Sequence, residues 1–232
     1  METSKNISIL KLFFTFLYIL LFPSLFFFIS GNWFWIEAWI FGIWYTLLCG
    51  SVIVYLYNKN PALLAERYKK PGDGNQKGWD IFIVIAIIIG FISWIVIIPL
   101  DAMRYHWTNP FPHYVNGIGI VCLLISFFFF IRSFIDNSYL SALVRIQSER
   151  KQQVITNGVY GFVRHPMYLG ALCMFIGAPL LLSSFCGIMV GLCLLVILMI
   201  RIIGEEKMLI EELDGYLDYK KKVRYRLIPL IW

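Results

Sequence analysis

The sequence predicts an all-α fold, a polytopic membrane helix bundle of about six transmembrane helices with the last two as a hairpin. Three observations carry this expectation. Apolar residues make up 59% of the 232 and charged residues 15%, whereas a soluble domain is nearer half apolar and a quarter charged. The apolar residues fall in blocks of about 20, the length that crosses a hydrocarbon core. The basic residues flank those blocks, and their number rises and falls from one loop to the next. The net charge of +6 is therefore read as that of a membrane protein with basic cytoplasmic loops, and not of a nucleic-acid binder.

The first four spans are expected at Ile9–Ile29, Phe34–Tyr57, Ile81–Leu100 and Val115–Ile135. Lys5 and Lys11 precede the first apolar run, and no small-x-small cleavage site follows it. It reads as a retained helix rather than a removed signal. The next apolar stretch, Tyr168 to Ile203, is too long for one span and slightly short for two. Gly177, Pro179, Ser183, Ser184 and Gly187 interrupt it. A tight hairpin with its tip near Ser183–Gly187 resolves this, each arm about 16 residues and about 24 Å long. The five cysteines all lie in apolar stretches without a close CxxC pair, which suggests packing residues rather than a disulfide framework or a metal site.

Orientation follows from the Lys and Arg in each loop. The 58–80 loop holds Lys59, Arg67, Lys69, Lys70 and Lys77, and the 132–167 loop holds Arg132, Arg145, Arg150, Lys151 and Arg164. The 30–36 loop has none and the 101–114 loop only Arg104. Both termini are then expected on the cytoplasmic side. The chain divides into N-terminal transmembrane helices, 1–135, and a C-terminal region, 136–232. The latter comprises a long polar loop, the hairpin and a surface segment, Glu205–Arg226. In that segment Leu209, Leu213, Tyr216 and Leu217 recur at helical spacing among charges. It reads either as an amphipathic helix on the membrane surface or as a solvated helical tail.

Two short strings carry chemistry. In Tyr160–Gly170, polar residues stand directly before an apolar helix, with Pro166 suited to the first helical position. Free backbone donors there can receive an anion, or the string is an ordinary helix entry with Arg164 at the headgroups. Arg201 and Glu205 are four apart and share a helix face. Such a pair is a functional candidate in a membrane protein, although an arginine at a bilayer edge also simply snorkels.

Taken together, Gln147, Gly158-Val-Tyr160, Arg164-His165-Pro166-Met-Tyr168, Arg201…Glu205-Glu206, Tyr216-Leu-Asp-Tyr219 and Pro229 resemble the isoprenylcysteine carboxyl methyltransferase family, a broad membrane family that includes phospholipid methyltransferases. The resemblance covers about Asp136 to Trp232. It implies an S-adenosylmethionine pocket formed by Gln147, the segment Gln152, Gln153, Val154 and Ile155, then Tyr160, His165, Pro166, Met167, Tyr168 and Glu205. Arg201 matches a substrate-binding residue, and Arg201 and Glu205 are the residues expected at the reaction centre. Two departures stand out. Gln152 replaces a frequent histidine, and the spacing from Gln147 to Tyr160 is about two residues short of the eukaryotic pattern.

The residue types suit that chemistry. A carboxylate acceptor is ionised at neutral pH and needs no general base, and an arginine fork can hold it. The sequence has no Gly-rich strand-to-helix turn of the dinucleotide type. The expected partners are a lipid-like or prenylated acceptor and membrane lipids, with no metal and no nucleic acid. Methylation of a phospholipid amine and reduction by an NADPH-dependent membrane enzyme are the alternatives. For the reductase, Met167 and Gly170 depart from the expected Asn and acidic residue. An amine acceptor would need a base, and Arg201 would repel its charge.

Overall fold

A computed structural model of the chain describes residues 8–232, apart from the side chain of Ile9. Lys5, counted above in the basic N-terminal arm, lies outside the described residues. Eight α-helices follow in order: α1 Ile9–Ser30, α2 Ile36–Lys59, α3 Pro61–Arg67, α4 Gly78–Pro99, α5 His113–Asp136, α6 Pro166–Leu181, α7 Phe185–Glu212 and α8 Tyr216–Lys222. Helices α1, α2, α4, α5 and α7 are long and apolar enough to cross a membrane, and α6 is a shorter apolar helix. The four early spans match expectation to within a few residues.

Local sequence explains the breaks. Asn60 ends α2 and its side chain accepts from the Leu63 amide, while Pro61 starts α3 where its missing N–H is harmless. The chain thus turns from a spanning helix into a short one without orphaned donors. Between α6 and α7 the turn is Leu182–Ser184, slightly ahead of the expected tip. Asn116 of α5 donates to the Leu180 and Leu181 carbonyls at 3.1 and 2.9 Å, which satisfies the exposed end of α6. Ser184 caps α7 by accepting from the Gly187 amide. Asp101, fully buried after the end of α4, accepts from the Ser184 hydroxyl (2.6 Å), the Thr108 hydroxyl (2.9 Å) and the Cys186 amide (3.0 Å).

The bundle core is apolar and aromatic, with Phe26, Phe41, Trp94, Ile98, Leu181, Leu194 and Ile202 at its centre. Helix α5 packs along α6, α4 along α7, and α1 along α2. The α5–α6 crossing is close because it lacks side chains. A Cβ on Gly119 would stand 2.4 Å from the Leu181 nitrogen, and one on Gly177 would stand 2.7 Å from Cys122 Cβ. Small residues at such crossings allow backbone approach where no hydrophobic force separates helix from lipid.

The hairpin arms differ from the equal pair expected: α6 has 16 residues and α7 has 28. Helix α7 passes unbroken through Arg201, Glu205 and Glu206, so Glu205–Arg226 is not one amphipathic helix. Its first part belongs to the last spanning rod, and only α8 is separate. The charged residues there are good helix formers, and nothing halts the helix until Leu213. Gly215, at φ +82°, then supplies the left-handed turn into α8.

Candidate active site

The polar loop between α5 and α6 is built on the N-terminal helices. Fully buried Arg145 spans the gap. Its Nε and Nη2 donate to Glu66 of α3 at 2.7 and 2.8 Å, its Nη1 donates to Asn75 at 2.9 Å, and it also meets Glu149. Burial opposes ionisation of Glu66, but hydrogen bonds from Arg145, Lys69 and Ser141 outweigh it and hold the carboxyl at about 2. The Lys77 amide donates to the Val144 carbonyl and Asn75 to the Ile146 carbonyl. The two regions expected at 1–135 and 136–232 are joined here by buried charge.

A second buried pair ties α4 to α7. Arg201 Nε and Nη2 donate to Asp80 Oδ1 and Oδ2 at 2.8 and 3.1 Å, and Nη2 also donates to the Ala142 carbonyl at 2.7 Å. Asp80 is fully buried and also accepts from Gln76 and from the Val144 amide. The Nε–Nη2 edge of Arg201 that would grip a carboxylate already grips Asp80, and Arg201 is not on the cleft wall. No sequence rule joins residues 121 positions apart.

A third cluster fixes the start of α6. Glu206 receives Arg164 Nε at 2.6 Å and Arg226 Nε at 2.9 Å, with His165 Nε2 3.3 Å away. Arg164 Nη1 donates to the Val223 and Arg224 carbonyls, each at 2.7 Å, and the Arg164 and His165 amides donate to Tyr225 and Arg226 carbonyls. The charge of Arg164 is thus met by Glu206. The C-terminal strand of chain after α8 is thereby strapped beneath the Arg-His-Pro string.

These supports surround one open-mouthed cleft. Gln152, Gln153, Val154, Ile155, Tyr160, His165, Pro166, Met167, Tyr168 and Glu205 all line it. Gln147 does not. It is fully buried, donating to the Tyr139 carbonyl at 2.7 Å and accepting from Arg150 at 2.6 Å, so it braces the loop rather than facing the cleft. Gln152 accepts from the Gln147 amide at 2.8 Å. Sequence reasoning missed the apolar half of the wall: Leu140, Met208, Leu209, Leu213, Tyr216 and Tyr219. The i, i+4 recurrence of Leu209 and Leu213 was legible, but it was read as an amphipathic helix on the membrane surface or a solvated helical tail.

Several polar groups remain available in the cleft. The Tyr160 hydroxyl is buried without a hydrogen-bond partner among the described residues. Tyr168 donates to Glu205 Oε2 at 2.9 Å, which fixes both side chains and leaves Glu205 Oε1 to receive further donors. His165 starts α6 with no side-chain cap, so amides of the first turn point outward uncapped. The turn bearing Tyr160 is held by Asp136, which accepts from the Val159 amide at 2.9 Å. Asp136 packs so tightly on Gly158 (φ +57°) that a Cβ there would overlap its carboxylate.

Residues 115–214 match the family model described as phospholipid methyltransferase. The chain is 27% identical over 185 residues to the protein-S-isoprenylcysteine O-methyltransferase of Schizosaccharomyces pombe, covering 68% of this chain and 74% of that protein. The chain is thus similar to members of the isoprenylcysteine carboxyl methyltransferase and phospholipid methyltransferase membrane family. The fold of this methyltransferase also resembles a solved structure of a eukaryotic intramembrane Ras methyltransferase, an isoprenylcysteine carboxyl methyltransferase. That match has a TM-score of 0.52 at 22% identity and covers 92% of this chain and 74% of the other. As an integral, multi-pass methyltransferase it works with a methyl donor, and the matched residues 115–214 bring α5, the loop, the hairpin and Glu205 into one segment.

Proposed function

We propose that this methyltransferase uses S-adenosylmethionine to methylate the carboxylate of a prenylcysteine-like, amphipathic acceptor drawn from the bilayer. The observation that carries the reading is the cleft itself. It pairs an apolar wall with a polar one that has unspent groups: the Tyr160 hydroxyl, Glu205 Oε1 and the open start of α6. That donor set fits the cofactor. Tyr216, Tyr219 and Met208 offer an apolar wall for an adenine, Glu205 can accept from ribose hydroxyls or an amino group, and the α6 start suits a carboxylate.

When bound, the cofactor supplies an electrophilic methyl on a positively charged sulfur. The residues then have three tasks. Tyr168, locked by Glu205, holds the aromatic wall in place and presents π density to positive charge. The loop braced by Arg145 and Arg201 shapes the cleft and keeps water out. Together they align the acceptor oxygen with the carbon it attacks, and alignment contributes most where the nucleophile is already ionised. No side chain has to take a proton.

The test uses purified protein in detergent. It should bind S-adenosylhomocysteine, and Glu205→Gln should weaken that binding by about 1.5–3 kcal/mol, as for loss of a hydrogen bond to a charged group. Labelled methyl should reach a prenylcysteine carboxylate. Labelling of a phospholipid amine instead would move the reading to the second branch of the family, and unchanged affinity in Glu205→Gln would remove Glu205 from the cofactor site.

The orientation proposed is with both termini and the cleft in the cytoplasm, and the 101–114 loop and the α6–α7 turn on the far side. The asymmetry of Lys and Arg between the two sides supports it. In intact cells an impermeant thiol reagent should spare a Lys70→Cys variant on a cysteine-free background and label a His106→Cys variant. The opposite pattern inverts the topology.

A further inference from the structure

The cleft wall at residues 153–155 belongs to a stretch with no regular structure, between the short 3-10 turns Ser148–Arg150 and Gly158–Gly161. No backbone amide or carbonyl of residues 153–156 bonds to another backbone group among the described residues, so this stretch can move without breaking such a bond. Its two ends are fixed. The Lys151 carbonyl accepts from the Tyr139 hydroxyl at 3.3 Å, and Gln152 is bonded to the Gln147 amide. Beyond Gly158 the Val159 amide is held by Asp136, itself paired with Arg132 at 2.8 Å. Both ends turn at left-handed residues, Lys151 at φ +48° and Gly158 at φ +57°. The middle is held by Val154, which packs against the buried cluster Tyr216, Tyr219 and Val223, joined there by Leu209 and Leu213.

The same stretch separates two spaces. Gln152, Gln153, Val154 and Leu213 line the cleft and also line a second recess, so they stand between the two. Apart from Ile146, the rest of that recess is polar or charged: Ser148, Lys151, Glu212 and Asp214, all exposed. A wall carrying charges of both signs suits a water-borne molecule that has both an amine and a carboxylate. It does not suit a hydrocarbon tail, which would strip water from those charges.

We propose that residues 153–157 form a flap, hinged at Lys151 and Gly158 and latched by Val154, that swings out of the cleft wall to pass the cofactor between the cleft and the charged recess. This rests on the reading that the cleft binds S-adenosylmethionine. Seating Val154 on Tyr216 and Tyr219 removes apolar surface from water, which favours the shut state. Opening gives up that contact and leaves the helices where they are. A flap built this way sets the speed of entry and of exit alike, and Val154 is a positioning residue that acts through it.

The measurement is the rate of association and the rate of dissociation of tritiated S-adenosylhomocysteine with purified protein in detergent, for wild type and for Val154→Ala. Cutting the latch back by two methyl groups should speed both rates by about fivefold. Affinity, their ratio, should move less than either rate. Val154→Thr, of the same shape but with a hydroxyl in the apolar cluster, should act in the same direction. Thermal unfolding close to wild type reports that the variants fold. A side chain that only touches bound ligand would raise dissociation alone, so unchanged association in both folded variants overturns the flap while leaving the cofactor reading intact. Wild-type protein that does not bind S-adenosylhomocysteine rejects the cofactor reading of the cleft, and the flap with it.

Discussion

Arg201→Ala should unfold the end of the bundle that carries the cleft rather than merely slow methyl transfer. The substitution strands Asp80, fully buried and gripped by two nitrogens of Arg201, and it frees the Ala142 carbonyl. Breaking one side of a buried pair typically costs about 3–5 kcal/mol, because the remaining charge is left without water or partner. Since Val144 and Ala142 belong to the loop that walls the cleft, S-adenosylhomocysteine affinity should fall along with stability. Arg201→Lys should recover little, since an ammonium cannot make the same two parallel bonds. The telling variant is the double replacement Asp80→Asn with Arg201→Gln. Removing both charges takes away the buried mismatch, so it should be markedly more stable than Arg201→Ala. Thermal unfolding in detergent and cofactor titration give both numbers. An Arg201→Ala protein with normal stability and normal cofactor affinity, but no turnover, would return Arg201 to the acceptor.

Glu205 and Glu206 should behave oppositely although they are neighbours. Glu206 is nearly fully buried and holds Arg164 and Arg226, with His165 beside it. Glu206→Ala leaves two arginines without their shared anion, again an effect of about 3–5 kcal/mol. The chain from Val223 onward should loosen, because its carbonyls are bonded by Arg164. Hydrogen exchange should rise in residues 223–232 and at the start of α6. Glu205→Gln should leave exchange there unchanged while weakening the cofactor. Equal exchange in the two variants would show that the strap does not depend on Glu206.

The contrast marks what could be read from the sequence. Hydrophobic runs of spanning length placed α1, α2, α4 and α5, because a bilayer imposes one length and one composition on whatever crosses it. The strings around Tyr160–Tyr168 and Glu205 were legible by resemblance, and the cleft gathers ten of the twelve residues expected. The two it leaves out, Gln147 and Arg201, are polar residues whose partners lie elsewhere in the fold, and long-range pairing leaves no periodic trace. Asp80 shows the same limit from the other side. At the first turn of α4 it looks like an ordinary acid at a helix start, and only the packed structure brings Arg201 against it. The end of α7 was misplaced because charge after an apolar run marks where a membrane ends, not where a helix does.

The far-side contacts of Asp101 matter for motion. Helix α7 is a rod of 28 residues, about 42 Å long. At one end its first turn is bonded to Asp101 just beyond α4, and just past its middle Arg201 is bonded to Asp80 within α4. Two rods pinned to each other at two separate points cannot slide lengthwise without breaking a buried bond at each pin, so shear between them, a common way for packed helices to move, is suppressed. Any opening that admits a long-tailed molecule must then come from the elements not doubly pinned to this pair.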